Sequence, residues 1–182
     1  MKKTAIVAAL AASLMATAAQ AGSIRVEGES QLNGTDREAL KIEAWQGLTG
    51  PIGAGLEVKT FVADGSNPAF TNISGKLGYA LPTVAGFSPV VVVEAGVRTG
   101  AGNAEFWGVG GEVQRPLTQN LRAVVGYRYR DGFNQQFATR HRAHAGVDYD
   151  INKSFAVGAT YYNYRQDGQN TDAVAVSVTR KF

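Results

Sequence analysis

Cysteine is absent from this 182-residue chain, which excludes disulfide staples and thiolate metal sites. Long hydrophobic runs are missing too. Beyond residue 21 the longest purely aliphatic stretch is residues 90–93, far short of the about 20 residues a membrane-spanning helix needs. There is little charge of one sign: 18 Lys+Arg face 15 Asp+Glu. Two of the bases, Lys2 and Lys3, sit in an N-terminal leader, so 16 basic residues meet 15 acidic ones in the remainder. No basic face free of interleaved acids is left, which excludes nucleic acid as a partner. Histidine is limited to His141 and His144.

The leader has the three parts of a secretory signal: Lys2 and Lys3, an apolar run from Ala5 through Met15, and Ala19-Gln20-Ala21 as a small-residue cleavage site. Residues 1–21 are therefore expected to be a removed signal peptide, leaving 22–182 as one domain of an exported protein.

Across that domain, ten segments place apolar residues on one parity and mid-segment charges on the other. Ile24, Val26, Gly28, Ser30 and Leu32 oppose Arg25, Glu27, Glu29 and Gln31; Leu40, Ile42 and Ala44 oppose Lys41 and Glu43. Leu56, Val58, Thr60 and Val62 oppose Glu57, Lys59 and Phe61, and Ile73, Leu77, Tyr79 and Leu81 oppose Ser74 and Lys76. Val91, Val93, Ala95 and Val97 oppose Glu94 and Arg98, and Trp107, Val109 and Val113 oppose Glu112. Leu121, Ala123, Val125, Tyr127 and Tyr129 oppose Arg122, Arg128 and Arg130, while Ala143, Ala145, Val147 and Tyr149 oppose Arg142, His144 and Asp148. Phe155, Val157, Ala159 and Tyr161, then Val174, Val176 and Val178, complete the set. A period of two is the mark of strands with one apolar face. Gly, Pro, Asn and Asp cluster between them at residues 33–37, 49–53, 64–68, 82–88, 100–105, 115–120, 131–137, 150–153 and 166–171, as hairpin connections require. Each segment is about the 9 to 11 residues of a tilted transmembrane strand. In lipid an open sheet edge would strand its backbone groups, so such a sheet has to close.

The expected fold is therefore all-β: a closed antiparallel transmembrane β-barrel of ten strands, with eight as the competing count, and short connections. A secreted sandwich or lipocalin-like barrel shows the same alternation with the sides exchanged. Aromatics on the apolar parity argue for lipid. Tyr79, Tyr149, Phe155 and Phe182 fall at one set of strand ends, and Trp107, Tyr127, Tyr129 and Tyr161 near the other, as two membrane-interface girdles.

On these residues the chain resembles the small porin-like proteins of the Gram-negative bacterial outer membrane, over all of residues 22–182. The resemblance implies an outer-membrane location reached through the periplasm, surrounding lipid as one partner, and the barrel-assembly machinery as another, reading a last strand that ends in Phe. Phe182, Val178, Val176 and Val174 match that pattern; Arg180 departs from it, at a place where its side chain can snorkel to the interface. Residues 121–182, with Gly126-Tyr127-Arg128-Tyr129-Arg130 and Ala145-Gly146-Val147-Asp148-Tyr149, are also similar to the acidic-oligosaccharide porins, which have more strands.

Two readings of the interior follow. Strands about 4.8 Å apart and tilted by about 40° give a ten-strand barrel a backbone radius of roughly 10 Å. In the first reading a narrow passive channel for small polar or anionic solutes runs through it. Glycines of the lumen parity (Gly47, Gly55, Gly78, Gly96, Gly108, Gly110, Gly126, Gly146 and Gly158) leave room, and Arg122, Arg128, Arg130 and Arg142 form a basic wall facing Glu43 and Glu57, with Glu94, Arg98 and Glu112 also lining it. In the second, the charges pair across the lumen and plug a structural barrel.

A lipid-modifying enzyme centred on His144 is a third reading. The pattern speaks against it, and against enzymatic activity generally. His141 and His144 point to opposite faces, so they cannot share a metal, and Asp148 lies roughly 13 Å from His144 along the strand. Ala143 and Gly146 stand where a His-x-Ser pair would need serine. No cofactor and no metal site is expected.

Overall fold

In a computed structural model, the described residues are 22–33, 37–62, 68–100, 102–134 and 137–182. The expected signal peptide, residues 1–21, lies outside them, as do parts of several turns. The strands are β1 Gly22–Gln31, β2 Glu38–Thr49, β3 Ile52–Phe61, β4 Phe70–Ala80, β5 Ser88–Gly100, β6 Ala104–Pro116, β7 Leu121–Gly132, β8 Arg140–Asp150, β9 Phe155–Gln166 and β10 Gln169–Lys181. Each pairs antiparallel with its sequence neighbours, and β1 pairs with β10 from Ser23↔Lys181 to Gln31↔Ala173, closing the ring. The count is ten, so the eight-strand alternative falls.

Strands run further than the alternation alone indicates, because residues just beyond the apolar stretch still pair. β6 continues to Pro116, β5 to Gly100 and β7 to Gly132. The connection expected at residues 166–171 shrinks to two residues: Asp167 and Gly168 take φ of 51° and 76°, and strand pairing resumes at Gln166↔Gln169. Positive φ at both central positions is the geometry of the tight hairpin turn that matches strand twist, and glycine takes it without strain.

The alternation sets which side faces where. Val91, Val93, Val125, Val147, Val174, Val176 and Val178 are exposed on the outside, whereas Glu27, Glu57 and Lys59 are 1%, 1% and 2% exposed on the inside. An apolar belt running round every strand is far larger than the patches soluble monomers carry. Ionised groups buried within a greasy exterior reverse the order of a soluble sandwich or lipocalin, and that alternative falls as well.

The girdle residues all point outward. Tyr79, Tyr149, Phe155 and Phe182 sit at the end that carries Gly22, hereafter the terminal end; Trp107, Tyr127, Tyr129 and Tyr161 sit toward the opposite, loop end. There the hydroxyls turn to polar partners: Tyr129 donates to Asp131 at 2.8 Å and Tyr161 to Asp172 at 2.5 Å. Apolar ring and hydrogen-bonded tip is the preference of an interface aromatic. The guanidinium of Arg180 lies 4.8 Å from the Phe182 ring and 6.0 Å from that of Phe155. A cation held over rings at the rim accounts for the departure at this position.

Candidate functional site in the barrel interior

Seen from the terminal end, the interior opens as a vestibule of about 770 Å³, lined among others by Arg25, Glu43, Trp45, Glu112, Arg122, His144 and Asp148. At its rim, cations and acids alternate: Arg25 Nη1 lies 3.3 Å from Asp148, Arg122 bridges Asp148 at 3.6 Å and Asp150 at 3.3 Å, and Lys181 reaches Asp150 at 2.7 Å. Arg122 thus has two acids opposite it, where the sequence pattern offered only Asp148. Trp45 lies flat on the wall, over the ground left by Gly55 and Gly78, with Nε1 donating to Glu43 at 3.0 Å.

Deeper in, the vestibule meets a knot of buried ion pairs. Glu57 accepts from Lys76 Nζ at 2.6 Å, Arg128 Nη1 at 3.1 Å and Arg130 Nη2 at 2.9 Å. Glu94 accepts from Arg130 Nε at 2.6 Å and Nη2 at 2.7 Å, so this guanidinium binds it as a fork. On the other side Lys41 and Tyr162 hold Glu27, and Lys59 and Tyr164 hold Glu29, all at 2.6 to 2.8 Å. Three acids, Glu27, Glu29 and Glu57, are 4% exposed or less. Charges this deep are tolerated only when each is paired and hydrogen-bonded.

Toward the loop end the interior is lined by aromatic rings and arginines. Phe61 stacks on Phe70 with ring centroids 4.4 Å apart, and Phe106 on Phe137 at 4.9 Å. The Arg98 guanidinium lies between Phe70 and Phe137, at 4.6 and 4.4 Å from their centroids. Phe137 comes from a connection, and nothing in the alternation marked it as interior.

All nine expected lining residues point inward, yet they do different things. Glu43, Glu112, Arg122, Arg128 and Arg142 line the vestibule. Glu57, Glu94 and Arg130 are consumed in the knot, and Arg98 belongs to the aromatic lining toward the loop end. The opposing basic and acidic walls are in contact, because Arg128 and Arg130 reach Glu57 directly.

Most of the glycines expected to leave room do not. A Cβ at Gly55 would stand 2.8 Å from the Trp45 ring, at Gly96 2.7 Å from Phe106, at Gly108 2.7 Å from Glu94, at Gly126 2.4 Å from His144, and at Gly158 2.2 Å from Asp148. Each seats a neighbouring strand's large side chain; Gly47 is open, with no atom within 4 Å.

His144 Nε2 meets Glu112 Oε2 at 3.2 Å, a cross-strand partner that along-strand spacing could not reveal. His141 faces outward, its Nδ1 against the Tyr127 hydroxyl. Sequence reasoning also missed Arg140, which shares the parity of Arg142 two residues earlier and pairs across from Arg130. Extending that strand back by one inward position would have found it.

One feature of register stands apart. Arg128 pairs directly with Arg142, and Arg130 with Arg140, so four arginines face one another on β7 and β8. Like charges opposite one another cost stability. Arg128 and Arg142 also line two spaces at once: the vestibule and, beyond it, a small cavity of about 10 Å³ walled by Lys59, Asn72, Arg128, Arg130, Arg140, Arg142 and Tyr164.

No protein-family model and no curated protein sequence matches the chain. Solved structures do. The KdgM porin in complex with disordered oligogalacturonate is similar at a TM-score of 0.54 and 14% identity, covering 88% of this chain and 99% of that one. The NanC porin is similar at 0.53 and 13%, over 87% and 100%. The beta domain of the Bordetella autotransporter BrkA reaches 0.55 at 11%, over 89% and 99%. At such identities the likeness shows the fold alone, a closed antiparallel β-barrel, and it agrees with the belt, the girdles and the ring closure.

Proposed function

We propose that this protein is a narrow passive channel of the bacterial outer membrane, passing small polar and preferentially anionic solutes. The observation that carries the reading is that Arg128 and Arg142 separate the vestibule from the small cavity while lining both. A solute that has passed the paired charges of the rim meets these two guanidiniums at the inner end of the vestibule. Positive charge at a constriction with low-dielectric walls attracts anions and repels cations. With room for about one water beyond them, the unit conductance is small.

In this reading the leader exports the chain, the terminal end faces the periplasm, lipid wets the valine and tyrosine side, and the barrel-assembly machinery reads β10 through Phe182. Folded protein in planar bilayers is expected to give small conductance steps with a reversal potential displaced toward that of chloride in a KCl gradient, and Arg142→Gln to reduce the displacement. Folded protein giving no steps would overturn it.

A second reading, the closed structural barrel, is favoured by Glu57, whose carboxylate joins β3 to β4 and β7 across the lumen. It expects no solute flux in liposome swelling, and lower resistance to unfolding without altered permeability when Arg128 or Glu43 is neutralised.

A further inference from the structure

The small cavity behind Arg128 and Arg142 has an unusual wall. Of its seven lining residues five are cations, Lys59, Arg128, Arg130, Arg140 and Arg142, and none is acidic. The carboxylates bound to that group are Glu29, Glu57 and Glu94, three against five. Arg128, Arg130 and Lys59 are neutralised by them. Arg140 and Arg142 are not: among the described residues no carboxylate stands within ion-pairing distance of either.

Both of these arginines lie over aromatic rings. Arg142 lies 5.1 Å from the Tyr162 centroid, and Arg140 lies 5.1 Å from that of Tyr164 and 5.8 Å from that of Phe61. A cation–π contact uses none of a guanidinium's N–H groups. Nε and Nη1 of Arg142 and Nε of Arg140 are buried without a hydrogen-bond partner. Leaving a buried charged donor without a partner costs that group its full desolvation penalty, and here three such donors belong to two residues that wall one cavity. The register that sets Arg142 against Arg128 and Arg140 against Arg130 adds repulsion, and the carboxylates of the knot reach only Arg128 and Arg130 of the four.

We infer that this cavity is a binding site for one small monovalent anion, of the size of chloride, held by the free edges of Arg140 and Arg142 beside Lys59. A single ion with no hydrogens of its own can accept from every edge at once and offsets the excess charge. Its volume of about 10 Å³ suits a water-sized body and is too small for sulfate or phosphate. The inference rests on the cationic neck of the channel reading but does not require solute to cross it.

The competing occupant is a water molecule. Glu29 Oε1 is buried and unpartnered behind Lys59 and Tyr164, and a water could bridge it to an arginine edge. Bromide separates the two. Crystals of folded, detergent-solubilised protein grown in sodium bromide are expected to show an anomalous peak between Arg140, Arg142 and Lys59. In solution, chloride-35 line broadening by the wild type should be saturable, reversed by bromide and not by sulfate. Arg142→Gln should weaken it roughly tenfold or more, since an anion's hydrogen bond from a charged donor is lost; Arg140→Gln provides the same test should that variant not fold. Ordinary water density at the cavity with no anomalous signal, or broadening unchanged in both variants, overturns the site. Bound bromide in a barrel without conductance would remove the channel and keep the site; conductance without bromide would do the reverse.

Discussion

Arg130 on β7 donates Nη2 to Glu57 on β3 at 2.9 Å, across 73 residues of chain and with three strands of the ring between them. No local pairing can bring these two together; only the closed circumference does. Because Glu57 also accepts from Lys76 and Arg128, Glu57→Gln should leave three cations, two of them buried, short of a counter-charge. The expected loss is about 3–5 kcal/mol of unfolding free energy, measurable as a lower urea midpoint in lipid vesicles. A midpoint within error of the wild type would mean that the knot contributes nothing to stability.

Trp45 and the glycines beneath it offer a comparison at one wall. Gly55→Ala puts a methyl within 2.8 Å of the indole, whereas Gly47→Ala meets open space. Overpacking of this kind costs about 1–3 kcal/mol. The first variant should be less stable by that amount and the second unchanged, with a shift in tryptophan emission confined to the first.

The two tryptophans report opposite sides of the wall. Trp107 is 37% exposed on the apolar face, and Trp45 lies in the vestibule. In vesicles containing brominated lipid, the emission of the Trp45→Phe variant, carrying Trp107 alone, should be strongly quenched. That of Trp107→Phe should not. Equal quenching would contradict the inside-out arrangement.

The aromatic lining toward the loop end is testable through Phe137, which is 4% exposed although it belongs to a connection. Phe137→Ala removes its stack on Phe106 and the ring under Arg98. A loss of about 3 kcal/mol is expected from the cavity left behind, together with easier access of water to the neck, seen as faster exchange of the interior amides of β6 and β7.

While the closed ring settled ten strands against eight, the chain's local chemistry was enough to give the strand segments, the facing of each side chain and the interface rings. These follow from a period of two, which any strand imposes on its own side chains whatever its neighbours do. Inward charge at Arg128, Arg142, Glu43 and Glu57 was equally plain. The tight turn at Asp167-Gly168 was hidden among polar residues, and Arg140 among the residues of a strand end, where pairing outlasts the apolar pattern.

Whether those inward charges enclose space was a matter for the folded ring alone. Glycine on the lumen side reads as room in the sequence, yet Trp45, Phe106, Glu94 and His144 fill it, because strand tilt sets each glycine beside a large side chain of another strand or another level. Partner choice across the lumen depends on stagger and circumference, which have no local signature. That is why Glu57 and Arg130 meet, while Arg140 and Arg142, equally charged and equally inward, wall the small cavity with no described carboxylate in ion-pairing reach.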